Sequence, residues 1–214
     1  MTKNTLSVTQ ALTFYKVSAW VYYTKMKITS AEFKKGIRGT DKILGELRLQ
    51  IPFIGRSNVG KSSLMNFVLN RKNLVKSGKT PGKTLEINFF LVNKEFYFVD
   101  LPGYGYAKKS VEMRNQLGRM IQWYLFDVEV FERKIVLVLD AKAGPSDMDM
   151  EMLRLLREHN RDLVVVANKI DLLNQKERSK KLKAISNLMP GIEIIPCSAK
   201  TKEGREEILK ALSE

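Results

Sequence analysis

Leu47-Arg48-Leu49-Gln50-Ile51-Pro52-Phe53-Ile54, then Gly55-Arg56-Ser57-Asn58-Val59-Gly60-Lys61-Ser62-Ser63, then Leu64-Met65-Asn66-Phe67-Val68-Leu69: these three runs, in this order, decide the fold. The first reads as a strand and the last as a helix. The middle run fits G-x4-G-K-S/T, with Gly55, Gly60, Lys61 and Ser62 at the fixed positions. Glycines let the backbone curl so that several N–H groups point inward at phosphate oxygens, reinforced by the positive end of the helix that follows. Lys61 would reach the β- and γ-phosphates, and the Ser62 hydroxyl would hold Mg2+.

A phosphate loop leaves the base open, and the stretch near residue 170 addresses it. Leu163-Val164-Val165-Val166-Ala167 is a continuous apolar run, the pattern of a fully buried parallel strand, and it ends in Asn168-Lys169-Ile170-Asp171. A carboxylate at Asp171 can accept two hydrogen bonds, from N1–H and the exocyclic amine of guanine. Adenine offers no such pair, so ATP would leave that carboxylate unpaired. Asn168 can bond the ring edge, and the Lys169 stem can lie over the base plane. A metabolic ATP-using kinase that shares only the phosphate loop is therefore disfavoured.

Asp100-Leu101-Pro102-Gly103 closes a further strand-like run, Phe96-Tyr97-Phe98-Val99. Asp100 would hold Mg2+ through a water, and the Gly103 N–H would sense the γ-phosphate. Cys197-Ser198-Ala199-Lys200, after Ile192-Glu193-Ile194-Ile195-Pro196, would present backbone N–H groups to guanine O6. A threonine between the phosphate loop and Asp100 completes the magnesium shell: Thr84, in Pro81-Gly82-Lys83-Thr84, is the first choice and Thr80 the second. Lys61, Thr84 and Gly103 are thus the expected catalytic contacts, with Gly82, Lys83, Leu101 and Pro102 alongside the nucleotide.

In this order the motifs resemble the translation-factor-related branch of P-loop GTPases. The wording Gly-Arg-Ser-Asn-Val-Gly-Lys-Ser-Ser, Thr-Pro-Gly-Lys-Thr followed by Ile87-Asn88-Phe89-Phe90, and Asp-Leu-Pro-Gly-Tyr-Gly-Tyr-Ala over 100–107 is similar to the EngB/YsxC/YihA family. The resemblance runs from about residue 26 to the end, and the tyrosine-rich 100–107 segment is its most specific part. It implies a bacterial or organellar GTPase, Mg2+-dependent, that helps assemble the large (50S) ribosomal subunit. The same family is associated with septation and cell division, so a switch acting on a division protein stays open beside a switch acting on ribosomal RNA and protein. Relatives with asparagine at the position of Asn58 can coordinate K+ beside the β–γ bridge; Asn58 supporting the loop's turn is the other reading. Tyr104 stands where many small GTPases carry the glutamine that orients water, which implies slow intrinsic hydrolysis.

Charge points the same way. Thirty-seven Lys and Arg against 23 Asp and Glu give +14, more than one nucleotide site needs, so a polyanionic partner is expected. Arg71, Lys72, Lys76, Lys79 and Lys83 form one cluster, and Lys108, Lys109, Arg114 and Arg119 a second. The third, Lys176, Arg178, Lys180, Lys181 and Lys183, reads equally as a solvated helix face. The single cysteine, Cys197, excludes an internal disulfide framework and fits a reducing compartment; a cytoplasmic monomer is expected. The lone His159 sits near a helix end, where a surface role outweighs catalysis.

Strand-like runs fall near 47–54, 85–92, 95–100, 134–140, 163–168 and 192–197, with helical patterns at 61–70, 111–127, 147–159, 175–188 and 203–213. This alternation predicts an α/β domain over 26–214, a P-loop NTPase with a mostly parallel six-stranded sheet between helical layers. With the resemblance it becomes a Ras-like three-layer sandwich, its one antiparallel strand at the edge. Leu85–Val92 and Lys94–Val99 are close enough to form a hairpin around Asn93-Lys94. Residues 1–25 contain no acid and read as a loosely ordered extension. Val17–Tyr23 is far shorter than the ~20 apolar residues of a membrane span, and neither a signal peptide nor an arginine-rich transit peptide fits.

Overall fold

The structure is a computed structural model that describes residues 26–76, 86–105, 110–130 and 132–214. Residues 1–25, Lys79, Thr80, Gly82, Lys83, Thr84, Lys108 and Lys109 lie outside the described residues. Seven strands form one sheet: β1 (Ala31–Ile37), β2 (Leu49–Gly55), β3 (Ile87–Val92), β4 (Phe96–Asp100), β5 (Glu132–Asp140), β6 (Asp162–Asn168) and β7 (Ile194–Pro196). Five helices flank it: α1 (Lys61–Val68), α2 (Val111–Gln122), α3 (Asp147–Glu158), α4 (Gln175–Leu188) and α5 (Arg205–Ser213).

The sheet order is β1-β3-β4-β2-β5-β6-β7. From β4 to β7 every neighbouring pair is parallel, while β3 runs antiparallel to both β4 and β1. The expected α/β architecture holds, but there are seven strands rather than six, and the antiparallel strand is covered rather than at the edge. The additional strand is β1, Ala-Glu-Phe-Lys-Lys-Gly-Ile, whose residues 32–35 are all exposed and whose register slips between Phe33 and Lys35. A bulged edge strand buries little, so it shows neither an apolar run nor clean alternation.

Pleating explains why the central strands are apolar throughout. Successive side chains of β5 go to opposite faces: Ile135, Leu137 and Leu139 join the cluster under α2, α3 and α4, while Val136 and Val138 join the one under α1 and α5. Leu64, Met65 and Val68 of α1 and Ile208, Leu209 and Leu212 of α5 close the second face. The predicted hairpin is present, with Asn93 at φ 51° and Lys94 at φ 61°, a turn whose hand suits twisted strands. Asn93 also fastens the approach to β1: its Oδ1 accepts from Thr29 N at 2.8 Å and Ser30 N at 3.2 Å, and its Nδ2 donates to Lys27 O at 2.7 Å. The helix expected over 111–127 is α to Gln122 and then widens to a π turn over Trp123–Asp127, with Val128 N donating to Trp123 O.

Candidate nucleotide site

Strand order sets the site. The carboxyl ends of β4, β2, β5 and β6 carry, side by side, Asp100, the Gly55 loop, Asp140 and Asn168, and Cys197 and Ser198 follow β7. Strand β2 pairs with β4 on one side and β5 on the other, so the chain turns in opposite directions at its end and a crevice opens there.

The loop from Gly55 to α1 depends on its two glycines. A Cβ on Gly55 would stand 2.5 Å from Val138 O, so β5 leaves no room for one. Gly60 takes φ 91° as the cap of α1, and a Cβ there would stand 2.5 Å from Asn168 Nδ2. That nitrogen donates to Val59 O at 3.0 Å, joining the base loop to the phosphate loop. Asn58 is itself left-handed, at φ 68°. Lys61 is buried, and its Nζ donates to Asp100 Oδ1, pairing the phosphate-loop lysine with the expected magnesium carboxylate. Ser62 and Ser63 follow on the first turn of α1.

At the base end the side chains are already knitted together. Ser198 Oγ accepts from Thr201 N at 3.0 Å, which leaves its own hydrogen to donate to Asp171 Oδ1 at 2.7 Å. Lys200 Nζ reaches 4.0 Å from Asp171 Oδ2 but is 81% exposed, so that pair is weak. The expectation for the amides narrows. Cys197 N donates to Ala167 O at 2.9 Å and Ser198 N to Glu203 O at 3.0 Å, while Ala199 N makes a long 3.3 Å bond to Asn168 Oδ1. Ala199 is therefore the amide a base carbonyl can recruit most readily. Asn168 serves both loops, and its second amide hydrogen remains for a ring edge.

Three further side chains shape the site: Asp140 and Asp149 escape motif reading, and Tyr104 is expected from sequence only as the residue in a glutamine's place. Asp140 accepts from Lys169 Nζ at 2.8 Å, and the same nitrogen donates to Asn58 O at 2.5 Å, so Asp140 steers Lys169 across the crevice. Burial opposes ionisation of Asp140, but Lys169 and the N–H groups of Ala143 and Lys142 outweigh it and hold the carboxyl below its ordinary range. Its signal was available: it closes the apolar run of β5 as Asp100 closes β4. Tyr104 and Asp149 are the other two, since Tyr104 OH donates to Asp149 Oδ1 at 2.7 Å. Burial and then the Asp149 charge push that phenol far above its ordinary pKa.

Gly103 lies against the phosphate loop, where a Cβ would meet Ser57 N at 3.1 Å. Leu101 N donates to Phe53 O at 3.3 Å, and Leu101 and Gly103 are buried with Pro102 half-buried between them. The oxygen-only set of Ser62 hydroxyl and Asp100 carboxylate suits Mg2+, which keeps most of its waters. The fit shows in Asp100 itself, which is nearly buried and already faces a cation in Lys61.

A family profile described as "50S ribosome-binding GTPase" matches residues 50–169, more than half of the chain, and one described as "Elongation factor Tu GTP binding domain" matches 133–214. A "Probable GTP-binding protein EngB" of Clostridium kluyveri is 44% identical over 190 residues, covering 87% of this chain and 96% of that protein. The chain belongs to the EngB family of GTP-binding proteins. A further EngB, of Fusobacterium nucleatum, is 41% identical over 88% of this chain and 98% of its own. Among solved structures, "a probable GTP-binding protein engB" superposes with TM-score 0.65 at 26% identity, covering 76% of this chain and 96% of that one. Era of Aquifex aeolicus bound to GDP.AlF4- follows at TM-score 0.58 and 26% identity, over 78% of this chain and 56% of its own. The EngB resemblance drawn from residues 55–63 and 100–107 is thus upheld, and the P-loop GTPase fold with it.

Proposed function

We propose that residues 26–214 form a Mg2+-dependent GTP switch that assists assembly of the large ribosomal subunit. The observation that carries the nucleotide half is Asp171. Its carboxylate is held by Ser198 at the same sheet edge as the phosphate loop, and one amide side chain, Asn168, ties the two loops together. Guanine N1–H and the exocyclic amine meet that carboxylate, Ala199 N–H meets O6, and the amides from Arg56 to Ser62 meet the phosphates. Ser62 and Thr84 hydroxyls, with Asp100 through a water, would hold Mg2+, which when bound supplies positive charge between the β- and γ-phosphates. Lys61 exchanges its Asp100 partner for phosphate oxygens, and Gly103 N–H reads the γ-phosphate.

Hydrolysis is slow in this reading because Tyr104 cannot orient water as a glutamine does. Its hydroxyl is committed to Asp149. Turnover by the isolated chain stays far below one per second.

The ribosomal half rests on charge. The chain carries +14, and Lys176, Lys180 and Lys183 lie exposed along one face of α4. The matching profile's own description names 50S binding. Lys76, Lys79 and Lys83 would add contacts when Thr84 meets Mg2+ and the γ-phosphate, which makes affinity nucleotide-dependent. Co-sedimentation with 50S particles across a salt series, with GTP analogue and with GDP, tests this. Alanine at Lys76 and Lys79, with Lys83 kept because it is expected alongside the nucleotide, should lower particle affinity with the analogue and flatten its salt slope, with GTP affinity nearly intact. An unchanged slope removes the lysines from the interface; salt-insensitive binding in both states favours a protein partner.

A further inference from the structure

Asp149 belongs to no nucleotide motif, yet it is 1% exposed and joins three segments that the nucleotide would touch or move. Its Oδ1 accepts from Tyr104 OH at 2.7 Å. Its Oδ2 accepts from Ser146 N at 2.8 Å and Ser146 Oγ at 2.7 Å, and lies 3.2 Å from Arg56 Nε. Ser146 and Asp149 form the capping box of α3, but such a box asks of its carboxylate only a bond to the cap N–H, a task done as well at the surface. A carboxylate withdrawn from water needs paired charge and donors, and here the phosphate loop supplies the charge and the loop after Asp100 supplies a donor.

The backbone repeats the connection. Tyr104 N donates to Gly55 O at 3.3 Å and Ser57 N to Tyr104 O at 2.8 Å, so residues 103–105 are zipped along the start of the phosphate loop. Gly105, at φ 73°, lies beside Met148 of α3. Among the described residues of this loop, Tyr104 thus reaches into the helical layer and finds a fixed acceptor there. Burial and then the Asp149 charge push its phenol far above its ordinary pKa, so it is a donor at neutral pH.

We propose that Asp149 is a positioning residue which, through Tyr104 and Arg56, fixes the Gly103 backbone against the phosphate loop and so sets how strongly the chain prefers a nucleoside triphosphate to a diphosphate. This rests on Gly103 N–H as the γ-phosphate contact. A diphosphate needs the phosphate loop, whose turn rests on its glycines, on Asn168 and on Tyr104 only through backbone bonds that are independent of the phenol hydroxyl. A triphosphate also needs Gly103 held in place, and an amide fixed beforehand gives up less freedom on binding than one that must first be ordered.

Tyr104→Phe removes only the hydroxyl and leaves Asp149 its contacts to Ser146 and Arg56. Affinity for a non-hydrolysable GTP analogue should fall about tenfold while GDP affinity stays within about twofold. Asp149→Asn has one acceptor oxygen where Asp149 uses two and no charge for Arg56, so it too should lose part of the preference, which guards against a phenylalanine variant that folds poorly. Gly103→Ala serves as the control on the underlying reading. If Tyr104→Phe weakens the analogue and GDP alike, its effect is general loosening and the proposal fails. If it changes neither while Gly103→Ala selectively weakens the analogue, the Asp149 tie is refuted and Gly103 keeps its role. If Gly103→Ala is also silent, the γ-phosphate reading falls and the tie with it.

Discussion

At the β6–β7 end of the site each recognition side chain already has a protein partner: Asp171 has Ser198, Asn168 has Val59 and Ala199, and Lys169 has Asp140 and Asn58. At the β4 end, Lys61 and Asp100 hold each other, and Gly103 is placed by its neighbour Tyr104. On the proposed reading the base end would keep most of its bonds when guanine arrives, and the phosphate end would trade the Lys61–Asp100 ion pair for new partners. Recognition can therefore be rigid at one end while the response to the γ-phosphate is concentrated at the other, a division that suits a switch better than uniform stiffness would.

The largest expected effect tests the rigid end. Asp171→Asn removes the double acceptor and should cost on the order of 2–4 kcal/mol in GTP binding while relaxing selectivity toward xanthine nucleotides. Competition binding with GTP and XTP measures both; parent-like GTP affinity would show that guanine is read elsewhere. Next comes the joint between the two ends. Gly60→Ala places a Cβ 2.5 Å from Asn168 Nδ2 at φ 91° and should lower stability by about 2 kcal/mol, read from denaturant midpoints. An unaffected midpoint would mean that the loops are not coupled through Asn168.

A smaller effect probes the exchangeable end. If Asn58 coordinates K+ beside the β–γ bridge, hydrolysis should be several-fold faster in K+ than in Na+ at equal ionic strength. Equal rates would leave Asn58 as the φ 68° turn residue it is in this conformation. The smallest is a control on the base end's burial. Burial, with Glu203 and Glu207 nearby, pushes the Cys197 thiol up to about 12, so only ~0.01% is thiolate at pH 8. Native protein should react with iodoacetamide far more slowly than unfolded chain, and rapid labelling would show that the 197–199 loop opens.

Most of this was legible because the phosphate loop and the Asn168–Asp171 segment are local: a glycine spacing or an asparagine after an apolar strand carries its meaning within a few residues. The hairpin at Asn93 was legible for the same reason. What escaped was non-local or edge-bound. Asp149 lies 45 residues from Tyr104 in the chain, and in sequence it is only the acid of a capping box. The Lys61–Asp100 pair joins two motifs read separately, each with a ligand in mind. The amides of Cys197 and Ser198 looked available because their partners, Ala167 and Glu203, are settled by strand pairing and a turn rather than by motif. Strand β1 was missed because an edge strand with exposed lysines lacks the apolar period that announces a strand.

That edge strand has a bearing on how the folded chain behaves in concentrated solution. A sheet ending in a long, flat, apolar strand offers its free N–H and C=O groups as a template for another molecule. Here one end of the sheet among the described residues is β1, where Lys34 is the unpaired residue of the register slip between Phe33 and Lys35, and the exposed Phe33 leans on Phe90 with ring centroids 5.6 Å apart. The other end is β7, only three residues long and closed by Pro196, which has no N–H to offer. Among the described residues neither margin of the sheet gives a second chain a straight run on which to add a strand, so a concentrated solution of this protein should not seed fibre-like association.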